Sequence, residues 1–444
     1  MHKKTNLLLS ALFFVAITLT GCSEKSEKRL VIWTDNSEFA QYLEVYNEYH
    51  KTKAVMVYKE NLAASLPPAR DEAQPDVIIG SWLRNAKTKK NFMPLNFLFE
   101  RRYLTSHDFY TTLLNAGKYR SKQYLLPVCF NLPAMIFSAE NKELVENSYT
   151  ITLDQLRKAG AAFNRQNKKG SYTAIGFAPQ SSTEFMYTVA KLQNADFREE
   201  KNGSIQWNNE NLQKTISFLN KWITEENSST QTESDFVYKY LSVTPDKRVS
   251  SGRTLFSYVT SDSLFLFSTE QMNKIDLRWL SYNGEIPIED SFTTMGISTR
   301  AEHHAEAAEF ISWFFSADSQ RQLIERKKRM NLDNMKFGIA GGFSAIKSVN
   351  ENILPVHYTR LLSNIPDSDS FHVYARKPSD WERIKEKVIF PYIEESVAAV
   401  PGKKTATIEE RYSELKKLSY KKRANQNYFL NKFFLFPIIK VESM

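Results

Sequence analysis

Between Gly117 and Leu144 the chain reads GKYRSKQYLLPVCFNLPAMIFSAENKEL, and the placing of Pro127 and Pro133 in it limits the fold severely. From Val128 to Ser138 the run is apolar apart from Asn131, the pattern of strand buried on both faces. Proline has no N–H to give to a sheet ladder. One unbroken central strand is therefore excluded, and two short strands joined by an extended link around Asn131 are predicted. A stiff link between two strongly apolar strands suits a chain leaving one core for another.

The length supports that reading. A chain of 444 residues exceeds what one hydrophobic core usually serves, so two lobes are expected. Leu30 to Thr34, Ala54 to Tyr58 and Asp76 to Ile79 read as strands. Between the first two, Phe39, Leu43, Tyr46 and Tyr49 share one face at helical spacing, with Asn36 or Ser37 as the cap. Strands alternating with helices imply an α/β unit with a largely parallel sheet. Ligands of such sheets lie beyond the carboxyl ends of the strands. Trp33, Asp35 and Asn36 follow the first strand there, and Ser81 and Trp82 the third.

Past the link the pattern turns helical. Thr152 to Asn164, Asn209 to Glu225, His303 to Phe315, Ser319 to Glu325, Val349 to Leu362, Asp380 to Val397 and Ile408 to Leu418 read as helices. Strands are predicted at Thr254 to Val259, Leu277 to Tyr282 and Thr293 to Thr299, with a polar loop from Thr260 through Ser261 and Asp262 to Ser263. Trp222 and Trp313 fall on apolar helical faces and Trp279 within a strand, so all three are assigned to the core.

The amino terminus points to the cell envelope. A basic start at His2 to Lys4 precedes the apolar run Leu7 to Leu19, which is too short to span a bilayer. It ends Leu19-Thr20-Gly21-Cys22, which resembles a bacterial lipobox. That resemblance implies cleavage before Cys22 and acylation of Cys22, and two or more acyl chains hold a protein on a membrane. With Cys22 acylated, the one other cysteine, Cys129, has no disulfide partner.

The order of pieces resembles the large extracellular solute-binding family that serves ABC importers, of the maltodextrin-binding type. The likeness rests on LVIWTDN (Leu30 to Asn36), PDVIIG (Pro75 to Gly80), the Gly117–Leu144 stretch, SGRTLFSYVTSD (Ser251 to Asp262) and MGISTRAEHHAEAAEFISWFFSADSQRQL (Met295 to Leu323). It spans roughly residues 30 to 418, and the ordered series is more specific than any single motif. It implies an α/β, two-lobed periplasmic-binding-protein-like clamp with a ligand cleft between the lobes and three hinge crossings. Those crossings would fall at Phe130-Asn131, Met295-Gly296 and Gly341-Gly342. The expected organisation is a signal peptide over 1–21 and a tether over 22–28. Lobe one would comprise 29–130 with 296–338, lobe two 131–295 with 339–419, and a basic and aromatic tail 420–444.

The same resemblance implies a substrate-binding lipoprotein that captures a carbohydrate or similar polar solute and delivers it to permease subunits. It would face the periplasm or the cell surface, anchored in the lipid membrane through Cys22. Glycans need aromatic faces for their rings and carboxylates or amides for their hydroxyls. Trp33 and Trp82 are the candidates for the first, and Asp35, Asn36, Asn131 and Asp262 for the second, with Ser81, Ser261 and Phe343 as further candidate ligand-binding residues. Two departures favour a second reading, a clamp-fold scaffold lipoprotein without transport. The loop at Thr260 to Ser263 carries no aromatic, and Gly341-Gly342-Phe343-Ser344 lacks the family's proline.

Other classes are poorly supported. The net charge of +9 is diffuse apart from Arg326 to Arg329 and Lys421 to Arg423, and no nucleic-acid module accompanies it. No nucleophile elbow, Walker loop or dinucleotide fingerprint occurs, so neither an enzyme nor a cofactor is expected. A glycosidase carboxylate pair would be set by tertiary spacing and is invisible here. His303 and His304 lack metal-protease spacing and read as solvated polar residues; no metal is expected.

Overall fold

Two sheets share the work of the fold. The structure, a computed structural model, describes residues 28–201, 204–332, 335–362, 364–399 and 405–418. The lipobox with Cys22, the signal segment and the 420–444 tail lie outside the described residues. No helix among the described residues is long and apolar enough to cross a membrane.

The first sheet is built from β1 (Arg29–Thr34), β2 (Lys53–Tyr58), β3 (Val77–Gly80), β4 (Leu126–Phe130), β9 (Thr293–Ile297) and β10 (Phe343–Ser344). Their spatial order is β10-β4-β9-β3-β1-β2. Only β2, β1 and β3 run parallel, and β9 lies antiparallel between β3 and β4. The largely parallel sheet expected from strand–helix alternation is thus mixed, because β9 returns from the second sheet rather than from a crossover helix. Strand periodicity sets what each face meets. Leu30 and Ile32 enter the main apolar cluster, whereas Val31 and Trp33 face a smaller one with Leu62, Leu66 and Leu83.

The second sheet orders β5 (Pro133–Ser138), β6 (Thr150–Thr152), β7 (Phe256–Thr260) and β8 (Ile275–Ser281) as β7-β5-β8-β6. Met135 and Phe137 point into one cluster and Ala134 and Ile136 into the other, so β5 is apolar on both faces as its sequence requires. The main cluster accordingly continues from the first sheet onto one face of the second.

The link between β4 and β5 follows the two prolines. Pro127 falls where the β4–β9 register shifts, and Pro133 opens β5; both positions tolerate a missing donor. The other two proposed crossing points differ. Met295 and Gly296 lie inside β9 of the first sheet, and the passage from the second sheet runs earlier, through 282–292. A Cβ on Gly296 would come within 2.6 Å of the Phe92 ring and 2.9 Å of Tyr124 O, so close packing accounts for that glycine. Gly341 and Gly342 precede β10, which pairs with β4 in the first sheet. A Cβ on Gly342 would lie 2.6 Å from Phe130 O. The first sheet therefore extends past residue 338, and the chain moves to the second lobe between β10 and Trp381, which packs in the second lobe's cluster. On that path Phe371–His372 pairs with Ile286–Pro287, so the return passage lies alongside the 282–292 segment.

The helices largely follow their periodicity. α1 (Phe39–Tyr49) buries Phe39, Tyr42, Leu43, Val45 and Tyr46, but Tyr49, its last residue, is 74% exposed. Leu153–Phe163 starts with a capping box between Thr152 and Gln155. α2 (Asn209–Glu226) buries Leu212, Ile216, Leu219, Trp222 and Ile223 as expected. Two predicted helices are broken. Val349 to Leu362 becomes three short pieces, Lys347–Asn352, Leu354–His357 and Thr359–Leu361, with Pro355 in the first turn of the second. The helix from Trp381 to Ala398 opens into a π-turn at Lys385–Ile389, just before Pro391. A proline ring clashes with the carbonyl four residues back, and a π-turn relieves this. His304 is exposed, but His303 is half-buried with Nδ1 3.3 Å from the Asp76 carboxylate. That carboxylate also accepts from Val31 N, Glu302 N and His303 N. The Pro75-Asp76 pair thus ties β1, β3 and the segment after β9 together, and His303 belongs to this tie rather than to solvent.

Candidate functional site

A cleft of about 1110 Å³ lies where the carboxyl ends of β1 and β3 face the β4–β5 link, the 261–266 turn and the helix begun by Trp381. Six expected residues line it: Asp35, Asn36, Ser81, Trp82, Asn131 and Asp262. Three do not. Trp33 is fully buried on the inner side of β1, with Lys59 Nζ 4.3 Å over its ring. Strand alternation turned it away from the cleft. Phe343 is buried among Phe130, Trp279 and Phe337. Ser261 is buried and acts through Asn131, to whose Oδ1 it donates at 2.6 Å.

Asn131 is the knot of the site. Its Nδ2 donates to Gly341 O at 2.9 Å and its carbonyl accepts from Glu289 N at 3.0 Å. With Ser261, one side chain and its backbone join four segments that border the cleft. Nearby, Asn36 Nδ2 donates to Ala340 O at 2.7 Å, and Lys336 Nζ donates to Asn36 Oδ1 at 2.9 Å. Trp82 packs against the clusters of both lobes and holds a left-handed backbone at φ 58°. Bulky residues pay roughly 1–2 kcal/mol for that conformation.

Burial shapes the titration of the walls. The Asp35 carboxyl is pushed up to about 6 by desolvation, against a bond from Ser81 N at 3.1 Å and the charge of Lys336. Glu289, on the opposite wall, is pushed up to about 7 by burial against the pull of Lys191. Away from the cleft, burial also raises Glu233 to about 7. Between about pH 4.5, the ordinary glutamate range, and about pH 7 the folded chain therefore keeps protons that the unfolded chain has released, and stability falls as pH rises. Calorimetry of the ligand-free protein should show the unfolding temperature dropping by a few degrees across that window; a rise would contradict the assignment.

Sequence reading missed much of the second wall. Glu289, Phe292, Glu382, Arg383 and Glu386 line it. The last three form the polar side of a helix whose Trp381, Ile384 and Val388 are buried, and that periodicity was visible. Its distance from β1 was not. The Cys129 thiol also borders the cleft, pushed up to about 12 by burial, which makes it unfit as a nucleophile. No cluster of metal-ligating side chains occurs among the described residues.

Neither a protein-family model nor a curated protein matches the sequence. Solved structures do match. The sugar-binding protein MalE from the phytopathogen Xanthomonas citri aligns with a TM-score of 0.62 at 13% identity, covering 91% of this chain and 99% of that one. A cyclo/maltodextrin-binding protein complexed with maltotetraose aligns at 0.56 and 15% identity, over 89% and 98% of the two chains. An ABC substrate-binding protein from Listeria monocytogenes in complex with cycloalternan aligns at 0.55 and 12% identity, over 89% and 99%. The fold is that of the two-domain periplasmic sugar-binding proteins. These neighbours are binding proteins, not enzymes.

Proposed function

We propose that the protein is the solute-capturing component of an ABC import system, closing its lobes on a carbohydrate-like polar solute and presenting it to permease subunits. The observation that carries this reading is the cleft itself, where Trp82 and the amide and carboxylate groups of Asn36, Asn131, Asp35 and Asp262 converge on one open volume. An aromatic face with several hydrogen-bonding side chains is what sugar recognition requires. The three chain passages between the sheets would act as the hinge, and ligand would bias the open and closed forms. The neighbours of the same fold bind maltotetraose and cycloalternan, which supports a saccharide over other solutes.

A thermal-shift screen of the chain from Ser23 onward tests the reading, with oligosaccharides, polyols, phosphorylated sugars and peptides as ligands. Binding to the folded state alone raises the unfolding temperature with ligand concentration. A flat response across all classes from correctly folded protein would favour the scaffold reading instead. The lipobox resemblance supports a membrane anchor at Cys22. Cys22→Ser should move the protein from the membrane fraction to the soluble one, and unchanged membrane association would remove the anchor from the proposal.

A further inference from the structure

The charge of the cleft opposes the charge of the chain. The protein carries a formal +9, yet among the described residues seven carboxylates and three cationic side chains line the cavity. Local pairs account for part of this. Arg383 meets Asp380 at 3.2 Å, Lys385 behind the wall meets Glu382 at 3.2 Å, and Lys336 acts on Asp35. What still faces the cavity is Glu60, Asp262, Glu289 and Glu386 against Lys87. Glu60 and Glu386 are exposed, and Asp262 is held by the Thr260 hydroxyl rather than by a cation.

Glu289 is the decisive member. Its backbone is fixed to Asn131 O, and its Oε1 is sealed from solvent with no hydrogen-bond partner. A buried polar oxygen without a donor costs about 1–3 kcal/mol, more when charged. The cation acting on it most strongly, Lys191, is engaged with Asp290 at 3.7 Å, and Lys377 shares Asp290 at 3.8 Å. Lys191 Nζ is itself buried without a hydrogen-bond partner, and neither it nor Lys377 donates to Glu289. Trp82 borders both the main cleft and the small recess behind it, and so does Glu289. An aromatic face beside a desolvated carboxyl recognises a cation carried on an apolar ring, through cation–π attraction and a charge-assisted hydrogen bond.

Resting on the clamp reading above, we propose that the solute is an amino sugar, free or oligomeric, whose ammonium group meets Glu289 while its ring lies against Trp82. The amine, meeting the carboxyl from the cleft side rather than at the sealed Oε1, gives Glu289 a donor and balances the surplus of carboxylates on the walls. A neutral hexose would leave both uncompensated.

Calorimetric titration of the full chain in detergent decides the matter. The probes are glucosamine and galactosamine, as monomers and short oligomers, each beside its N-acetylated counterpart, with maltodextrins as neutral controls. The amines should bind at least about tenfold tighter than their acetylated forms, and the margin should shrink with added salt. Glu289→Gln should erase the margin. Glu386→Gln, at an exposed position, should narrow it. Neutral sugars binding as well as the amines would overturn this proposal and leave the clamp reading intact. Silence towards every sugar from folded protein would overturn both. A margin that survives in a folded Glu289→Gln protein would overturn the role given to Glu289.

Discussion

Trp82→Ala should weaken capture of the solute by about one to two orders of magnitude, the loss typical of a buried aromatic anchor. Its effect on stability should be small for so large a side chain. Trp82 is only partly buried, and it is held in a left-handed turn that its side chain does nothing to favour. Asn85 fixes the turn by donating to Trp82 O at 2.6 Å, and this bond survives the substitution. Trp82→Phe should recover part of the affinity, because a phenyl ring keeps a stacking face of smaller area. Titration calorimetry and denaturant unfolding on the same preparations separate the two quantities. A large fall in stability with affinity unchanged would place Trp82 in the core and move the aromatic part of the site elsewhere, with Phe292 the next candidate.

The contrast between Trp82 and Trp33 shows what the sequence could convey. Both fall near the carboxyl ends of strands that face the cleft, and local pattern treats them alike. Trp33 lies within β1, where alternation assigns it a face, and that face is covered by Leu62, Leu66 and Leu83. Trp82 lies two residues past β3, outside the pleat, so the turn decides its direction. The two-strand crossing at Asn131 was legible because proline chemistry is local. The positions of the other two crossings were not. Gly296 and Gly342 look like hinge glycines in sequence, but each is there because a neighbouring chain comes too close for a Cβ. The acidic second wall was hidden for a related reason. Glu382 and Glu386 declare themselves as a helix's polar side, and only the tertiary path from β10 to Trp381 turns that side towards β1.

The loop that closes the bottom of the cleft depends on a buried ion pair. Lys327 Nζ lies 2.5 Å from the Glu38 carboxylate, with side chains only 4% and 8% exposed. Tyr42 OH donates to Glu38 at 3.3 Å and accepts from Ala340 N at 2.9 Å, and Lys327 reaches Gly338 O at 3.4 Å. The pair thus holds the 338–341 turn, whose residues Gly338, Ala340 and Gly341 all have positive φ. Removing one partner of such a pair strands the other charge in the interior, at a cost of about 3–5 kcal/mol. Glu38→Ala is therefore expected to lower unfolding free energy by that amount. Glu38→Gln should cost less, since the amide still offers Tyr42 and Lys327 an acceptor. Combining Glu38→Ala with Lys327→Met should restore much of the loss, because no uncompensated cation is then buried. Denaturant unfolding of the unaltered protein, Glu38→Ala, Lys327→Met and the double variant closes the cycle. A Glu38→Ala loss under about 1 kcal/mol would mean that Lys327 finds water or another partner, the behaviour of a solvent-exposed pair, and the turn would then be held chiefly by its bonds to Asn36, Asn131, Tyr42 and Tyr358.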